Sequence, residues 1–190
     1  LFNYMALIVC ARARDYAEIT FHKFADELEA KDAAGQYAFG APENEKHRVT
    51  WEGIAVWTYL GATFKGLKNQ GAVMTGSAYP GLWSLVYTPG DLESMAEAYT
   101  NVYINTCGPN RYEEFYKVVK NSKSDGIVLH LNRSCKLMGL LNNEGAEYVN
   151  AKMGVPYVSF DGDQTDPRVF TPAQYETRVQ ALTEMMDENQ

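Results

Sequence analysis

The chain has 190 residues, 46% of them hydrophobic, enough for one domain or one and a half with a sizeable core. Its 17 basic and 24 acidic residues leave a net charge of −7, which argues against a general nucleic-acid binder, since those carry a basic face. Three widely spaced cysteines, Cys10, Cys107 and Cys135, make no secreted disulfide framework and point to reduced, cytoplasmic thiols.

The chain opens LFNYMALIVCARARDY, without an initiator methionine. The apolar run from Tyr4 to Ala11 is too short to span a bilayer. It lacks the basic region and cleavage site of a signal peptide, so no membrane segment is expected and the start reads as the interior of a longer chain. Phe21, Phe24, Ala25 and Leu28 follow i, i+3, i+4, i+7 and predict an amphipathic helix over about 13–31. KDAAGQYAFGAPENEKH, rich in Gly, Pro and charge without period, is a loop. It divides a helical segment, 1–47, from a domain over 48–190.

In that domain the pattern alternates. HRVTWEG is a short strand, and Leu60, Thr63, Phe64 and Leu67 mark a helix ended by 69–71. AVMTGSAYPG is a strand running into a turn. Leu92, Met95, Ala96, Tyr99, Val102 and Tyr103 predict one long helical stripe, and Tyr112, Phe115, Tyr116 and Val119 another. GIVLHL is a strand, and 137–152 a helix closed by Gly154. VPYVSFDGD is the fourth strand. TPAQYETRVQALTEMM is a helix with Thr171 as N-cap, Pro172 at the first helical position and Gln174 completing a capping box. Strands alternating with helices imply an α/β fold of the Rossmann or flavodoxin-like kind. It would be a parallel four-stranded sheet with helices on both faces, preceded by the helical segment.

Parallel sheets bind ligands beyond the carboxyl ends of their strands. The segments that trail the four strands are 51–53, 75–80, 132–135 and 161–166, and parallel topology gathers them at one edge. Glu52, Tyr79, His130 and Arg133 are thereby candidate substrate-binding residues. For His130 the competing reading is a satisfied core histidine, and for Arg133 a structural salt bridge instead of a phosphate clamp. Cys135 is expected in the first turn of a helix capped by Ser134, where backbone N–H groups and the helix dipole favour a thiolate that ligates iron or attacks an electrophile. A small buried hydrophobe is the alternative. Asp161, Asp163 and Asp166 in DGDQTDPR lack full calcium-loop spacing and are read as turn and capping groups. Trp83, after AYPGL, is open between acyl pocket and core.

HLNRSCKLM, then GVPYVSFDGDQTDPRVFTPAQYETRVQALTEMM, resembles the carboxyl-terminal part of the (R)-2-hydroxyacyl-CoA dehydratases, and WEGIAVWTYLGATFKGLKNQGAVMTGSAYPGLWSL resembles their alpha-type subunit. The likeness runs from about 48 to 189. It implies an oxygen-sensitive heterodimer with a beta-type subunit, each subunit carrying a [4Fe–4S] cluster on three cysteines between two α/β domains. It also implies a separate ATP-dependent iron–sulfur activator that injects one electron. The acyl-CoA substrate then becomes a ketyl radical anion, expels its 2-hydroxyl group and returns the electron, leaving a 2-enoyl-CoA. Cys135 matches the carboxyl-terminal cluster cysteine. Cys10 and Cys107 match no cluster position, and the family's other two ligands belong to an amino-terminal domain this sequence lacks, so the chain alone is expected to be inactive. The rival readings are a benzoyl-CoA-reductase-type subunit, a non-catalytic flavodoxin-like module, and a thiol enzyme pairing Cys135 with His130.

Overall fold

The computed structural model of the chain describes residues 5–11 and 14–189, which fall into two compact units divided between Glu45 and Lys46. The first unit holds α1 (Met5–Cys10) and α2 (Asp15–Ala33). The expected helix start near 13 lies outside the described residues. Phe21 and Phe24 meet edge to face at 6.2 Å, but Leu28 is 67% exposed, so the apolar stripe of α2 is uncovered at that end.

The second unit is the expected α/β fold. Its strands are β1 (His47–Glu52), β2 (Ala72–Ser77), β3 (Gly126–Asn132) and β4 (Tyr157–Gly162), all parallel in the order β2-β1-β3-β4. The helices are α3 (Leu60–Asn69), α4 (Leu92–Thr100), α5 (Gly108–Asn121), α6 (Lys136–Gly139), α7 (Asn142–Met153) and α8 (Pro172–Glu188). Six of the seven residues of β3 are buried, as a central parallel strand covered on both faces requires, whereas β4 at the edge alternates. On one face Phe115 and Val119 of α5 and Ala146 and Val149 of α7 pack on Ile127 and Leu129. On the other, α3 and α8 pack together, and Tyr175 of α8 meets Phe160 of β4 edge to face at 4.8 Å. A Cβ on Gly66 would lie 2.7 Å from the Tyr175 ring, so only glycine admits this approach of α3 to α8.

Three local expectations are corrected. The stripe beginning at Leu92 stops being helical at Thr100, because the Thr100 hydroxyl turns back to the Glu97 carbonyl and the Asn105 amide ties off the Tyr99 carbonyl. Val102 and Tyr103 therefore lie in a turn. The helix expected over 137–152 is two helices broken at Leu140 and Leu141, though Gly154 does close it in the left-handed conformation, φ 72°. Thr171 occupies the N-cap of α8 with extended backbone, but its side chain makes no capping hydrogen bond, so the capping box with Gln174 is absent. By contrast, Asp91 caps α4 through the N–H groups of Glu93 and Ser94. Thr171→Ala should therefore change stability by less than about 0.5 kcal/mol, and Asp91→Ala should cost about 1 kcal/mol. Urea unfolding of the two variants checks the contrast, and a larger loss for Thr171→Ala would contradict it.

Candidate functional site

The strand order reverses between β1 and β3: the chain goes from β1 to β2 on one side, then crosses back to β3 on the other. In parallel sheets such a reversal is where ligands bind, outside the carboxyl ends of the two strands. Glu52 ends β1, Asn132 ends β3, and Arg133 to Cys135 follow it, so the sequence places both at the switch point.

Four separate segments converge on Cys135. The half-buried thiol packs in a cluster with Ile54 after β1, Leu82 after β2 and Met138 of α6, joined by Tyr79, Trp83, Tyr103 and Ile104. Burial, and then the neighbouring Cys135, push the Tyr79 hydroxyl above its ordinary range. Cys135 is itself the N-cap of α6, a helix of four residues, and not a first-turn residue capped by Ser134. Ser134 is used otherwise: its N–H donates to Asp163 Oδ2 at 3.0 Å and its hydroxyl donates to the same oxygen. Asp163 Oδ1 accepts from the N–H groups of Thr165 and Asp166. These donors, Ser134 first, hold the Asp163 carboxyl well below the usual carboxylate range. One carboxylate thus ties the turn after β3 to the turn after β4. Asp166 caps the short turn at Pro167–Val169 and pairs with Arg168, so the aspartates of DGDQTDPR are structural, as expected.

Beneath the cluster lies a buried polar knot. Glu52 is wholly inaccessible, and its Oε1 accepts from the Tyr103 hydroxyl at 2.8 Å. Arg111, 1% exposed, brings Nη2 to 3.9 Å from the same oxygen, and its guanidinium carbon sits 4.7 Å from the Tyr103 ring centre. Nη1 donates to the Leu137 carbonyl at 2.7 Å, and Nη2 to Asn142 Oδ1 at 3.1 Å. Burial raises Glu52 to about 7, against the opposing pull of the Tyr103 hydroxyl and then the Arg111 charge. Tyr103 also lines a groove of about 480 Å³ bounded by Ala78, Leu85, Ala98 and Val102.

The other candidates sort by exposure. His130 is fully buried, stacks on Phe160 at 5.1 Å, and donates from Nδ1 to the Ile54 carbonyl. Burial lowers its basicity. His130 is thus a buried core residue, although its Nε2 finds no hydrogen-bond partner among the described residues. Arg133 and Asp161 form an ion pair at 3.3 Å with both side chains about 60% exposed, so the salt bridge stands and the guanidinium stays open to solvent. Among the described residues no three His, Cys, Asp or Glu side chains are grouped to hold a metal ion, and no helix is long and apolar enough to cross a membrane. Cys107 directly precedes α5 as its N-cap. Because α5 runs back across the sheet into β3, its start lies on the carboxyl side. Sequence reasoning missed Arg111, Tyr103 and Asn142. The signal for Arg111 was there: a cation in the first turn of a helix with no acid beside it opposes the helix dipole.

A family model described as 2-hydroxyglutaryl-CoA dehydratase, D-component, matches residues 1–186, thus also the stretch before the domain. The chain is 61% identical over 191 aligned residues to lactoyl-CoA dehydratase subunit alpha of Anaerotignum propionicum, covering 100% of this chain and 45% of that protein. It is 43% identical over 188 residues to the (R)-2-hydroxyisocaproyl-CoA dehydratase alpha subunit of Clostridioides difficile, covering 99% and 46%. A benzoyl-CoA reductase subunit of Thauera aromatica is 26% identical over 155 residues, covering 78% and 36%. The chain spans about half the length, or less, of these relatives.

Proposed function

The chain belongs to the 2-hydroxyglutaryl-CoA dehydratase D-component family, and on that premise we propose that it is the carboxyl-terminal portion of an alpha-type (R)-2-hydroxyacyl-CoA dehydratase subunit. The observation that carries this reading is the 61% identity running through the whole chain to a lactoyl-CoA dehydratase subunit alpha. The benzoyl-CoA-reductase alternative has 26% over a shorter stretch. The proposed reaction removes water from an (R)-2-hydroxyacyl-CoA to give a 2-enoyl-CoA in the cytoplasm, with a beta-type subunit and an ATP-dependent iron–sulfur activator as partners.

A cluster fits this chain in one respect only. Cys135 offers a single thiolate ligand at a crevice edge, in apolar surroundings, while a [4Fe–4S] cluster needs several. The remaining ligands are assigned to the part of the subunit that precedes this chain. Bound there, the cluster supplies one-electron chemistry to the thioester, which ordinary acid–base elimination lacks because the β-proton is weakly acidic. The chain's own residues do the rest. Asp163 and Arg111 fix the backbone on either side of Cys135. Ile54, Leu82 and Met138 keep the thiol's inner side dry. Tyr79, half-buried near Cys135, is the residue we assign to the thioester, and exposed Arg133 the one we assign to a CoA phosphate. Glu52 and His130, the other two candidates, are fully buried.

The test is anaerobic turnover of the intact subunit with its beta-type partner, activator and ATP. Lactoyl-CoA is the first substrate to try, because the 61%-identical relative is named for it. Formation of the 2-enoyl-CoA is the expected result. Reduction of an aromatic thioester, with no elimination from 2-hydroxyacyl-CoA, would contradict the reading.

A further inference from the structure

We infer that Arg111 is a positioning residue for Cys135, acting as a buried clamp that sets where the thiol sits. The inference rests on the reading of Cys135 as a cluster ligand.

The segment that carries Cys135 cannot hold itself. α6 is a single turn with no side-chain cap, and only Met138 of it is buried. Leu137 is 63% exposed and Leu140 is 68% exposed, so beyond Met138 apolar burial does not pin the segment on its carboxyl side. The last carbonyls of so short a helix have no partner within it. Arg111 supplies one, through Nη1 to the Leu137 carbonyl. Its second nitrogen reaches Asn142 Oδ1, the first residue of α7, and lies 3.5 Å from Met138 Sδ. One planar fork therefore bridges the break between the two helices, the break that the sequence pattern did not foresee. A lysine presents a point charge and cannot reproduce that geometry.

The fork is itself aimed from below. Glu52 and the Tyr103 ring hold the guanidinium from the β1 side and from the turn after α4. Burying such a pair is a poor way to gain stability, because desolvation offsets most of the attraction. What it gives is orientation: β1, the turn after α4, α5, α6 and α7 meet at one planar group. Ligand geometry depends on groups that orient the ligand from behind, and Arg111 stands in that relation to Cys135 through the backbone of α6.

The test uses the chain without metal, reduced and anaerobic, and measures iodoacetamide alkylation at each cysteine by peptide mass spectrometry. Exposed Cys10 and Cys107 are internal references. Arg111→Lys keeps the positive charge beside Glu52, so it is the variant most suited to fold. Freed of the fork, α6 should loosen and the Cys135 rate should rise about tenfold, with the Cys10 and Cys107 rates unchanged. An unchanged Cys135 rate in the folded variant would overturn the inference. So would a parallel rise at all three thiols, which reports general loosening. Tyr103→Phe, which keeps the ring under the guanidinium but drops the hydroxyl, gives a second arm: a small rise at Cys135 supports the clamp, and none at all in either variant defeats it. None of these rates depends on a cluster, so failure of the ligand assignment and failure of the clamp are separately visible.

Discussion

Glu52→Gln should flatten a pH dependence of stability that the unsubstituted chain shows between about pH 4.5 and 7. Burial raises the Glu52 carboxyl from 4.5 to about 7, so the folded chain holds this proton more tightly than the unfolded one does. The sign follows: the contribution is fully present below the unfolded value and is lost as pH rises through the folded one. The loss is on the order of 3 kcal/mol, since a tenfold difference in proton affinity between the two states corresponds to about 1.4 kcal/mol. Glutamine keeps an acceptor for the Tyr103 hydroxyl and resembles the protonated acid, so the variant should match the parent near pH 4.5 and exceed it near pH 8. His130 acts in the opposite sense, because its lowered basicity removes stability as pH falls below its ordinary 6.5. The difference between the two chains cancels that effect. Asp163, with its carboxyl lowered, loses its contribution as pH falls through the usual carboxylate value, at the acid edge of the window, and does so equally in both chains. Urea unfolding of both chains at pH 4.5, 6 and 8 measures the difference. A constant difference across that range would show that folding does not raise the Glu52 carboxyl.

The strand–helix alternation made the sheet legible, and the continuous apolar run of GIVLHL marked the central strand. Parallel order then placed the trailing segments at one edge, with no knowledge of side-chain contacts. The buried knot was not legible in the same way. Glu52 stands out in the sequence only by its place at the end of a strand and Arg111 only as a cation in the first turn of a helix, and the tertiary fold brings them to 3.9 Å. Tyr103 was assigned to a helix because its spacing from Tyr99 fits one, but polar side chains at Thr100 and Asn105 end that helix first. The break at Leu140 and Leu141 escaped for a related reason: LMGLLNNEGAEYV keeps helical period across it, and the group that bridges it comes from α5. Thr171 shows the converse. The motif is present and the backbone adopts the cap, but the hydroxyl forms no capping bond.

Cys135→Ser in the intact subunit should remove or degrade the [4Fe–4S] cluster and abolish water elimination while leaving the α/β domain folded. The reasoning is local. Cys135 follows the central strand at the switch point, its thiol is half-buried among apolar side chains, and the backbone on both sides is fixed by Asp163 and Arg111. Serine preserves the shape but not the thiolate, and iron–sulfur clusters are held by thiolates. The 190-residue chain alone should fold yet retain no stable cluster, because one positioned thiolate cannot replace the set. The most direct measurement is iron and acid-labile sulfide, with the EPR spectrum, of the anaerobically purified intact subunit, in the parent form and as Cys135→Ser. The account predicts a full cluster in the parent and a lost or altered one in the variant; an unchanged cluster with unchanged spectrum in the variant would contradict it.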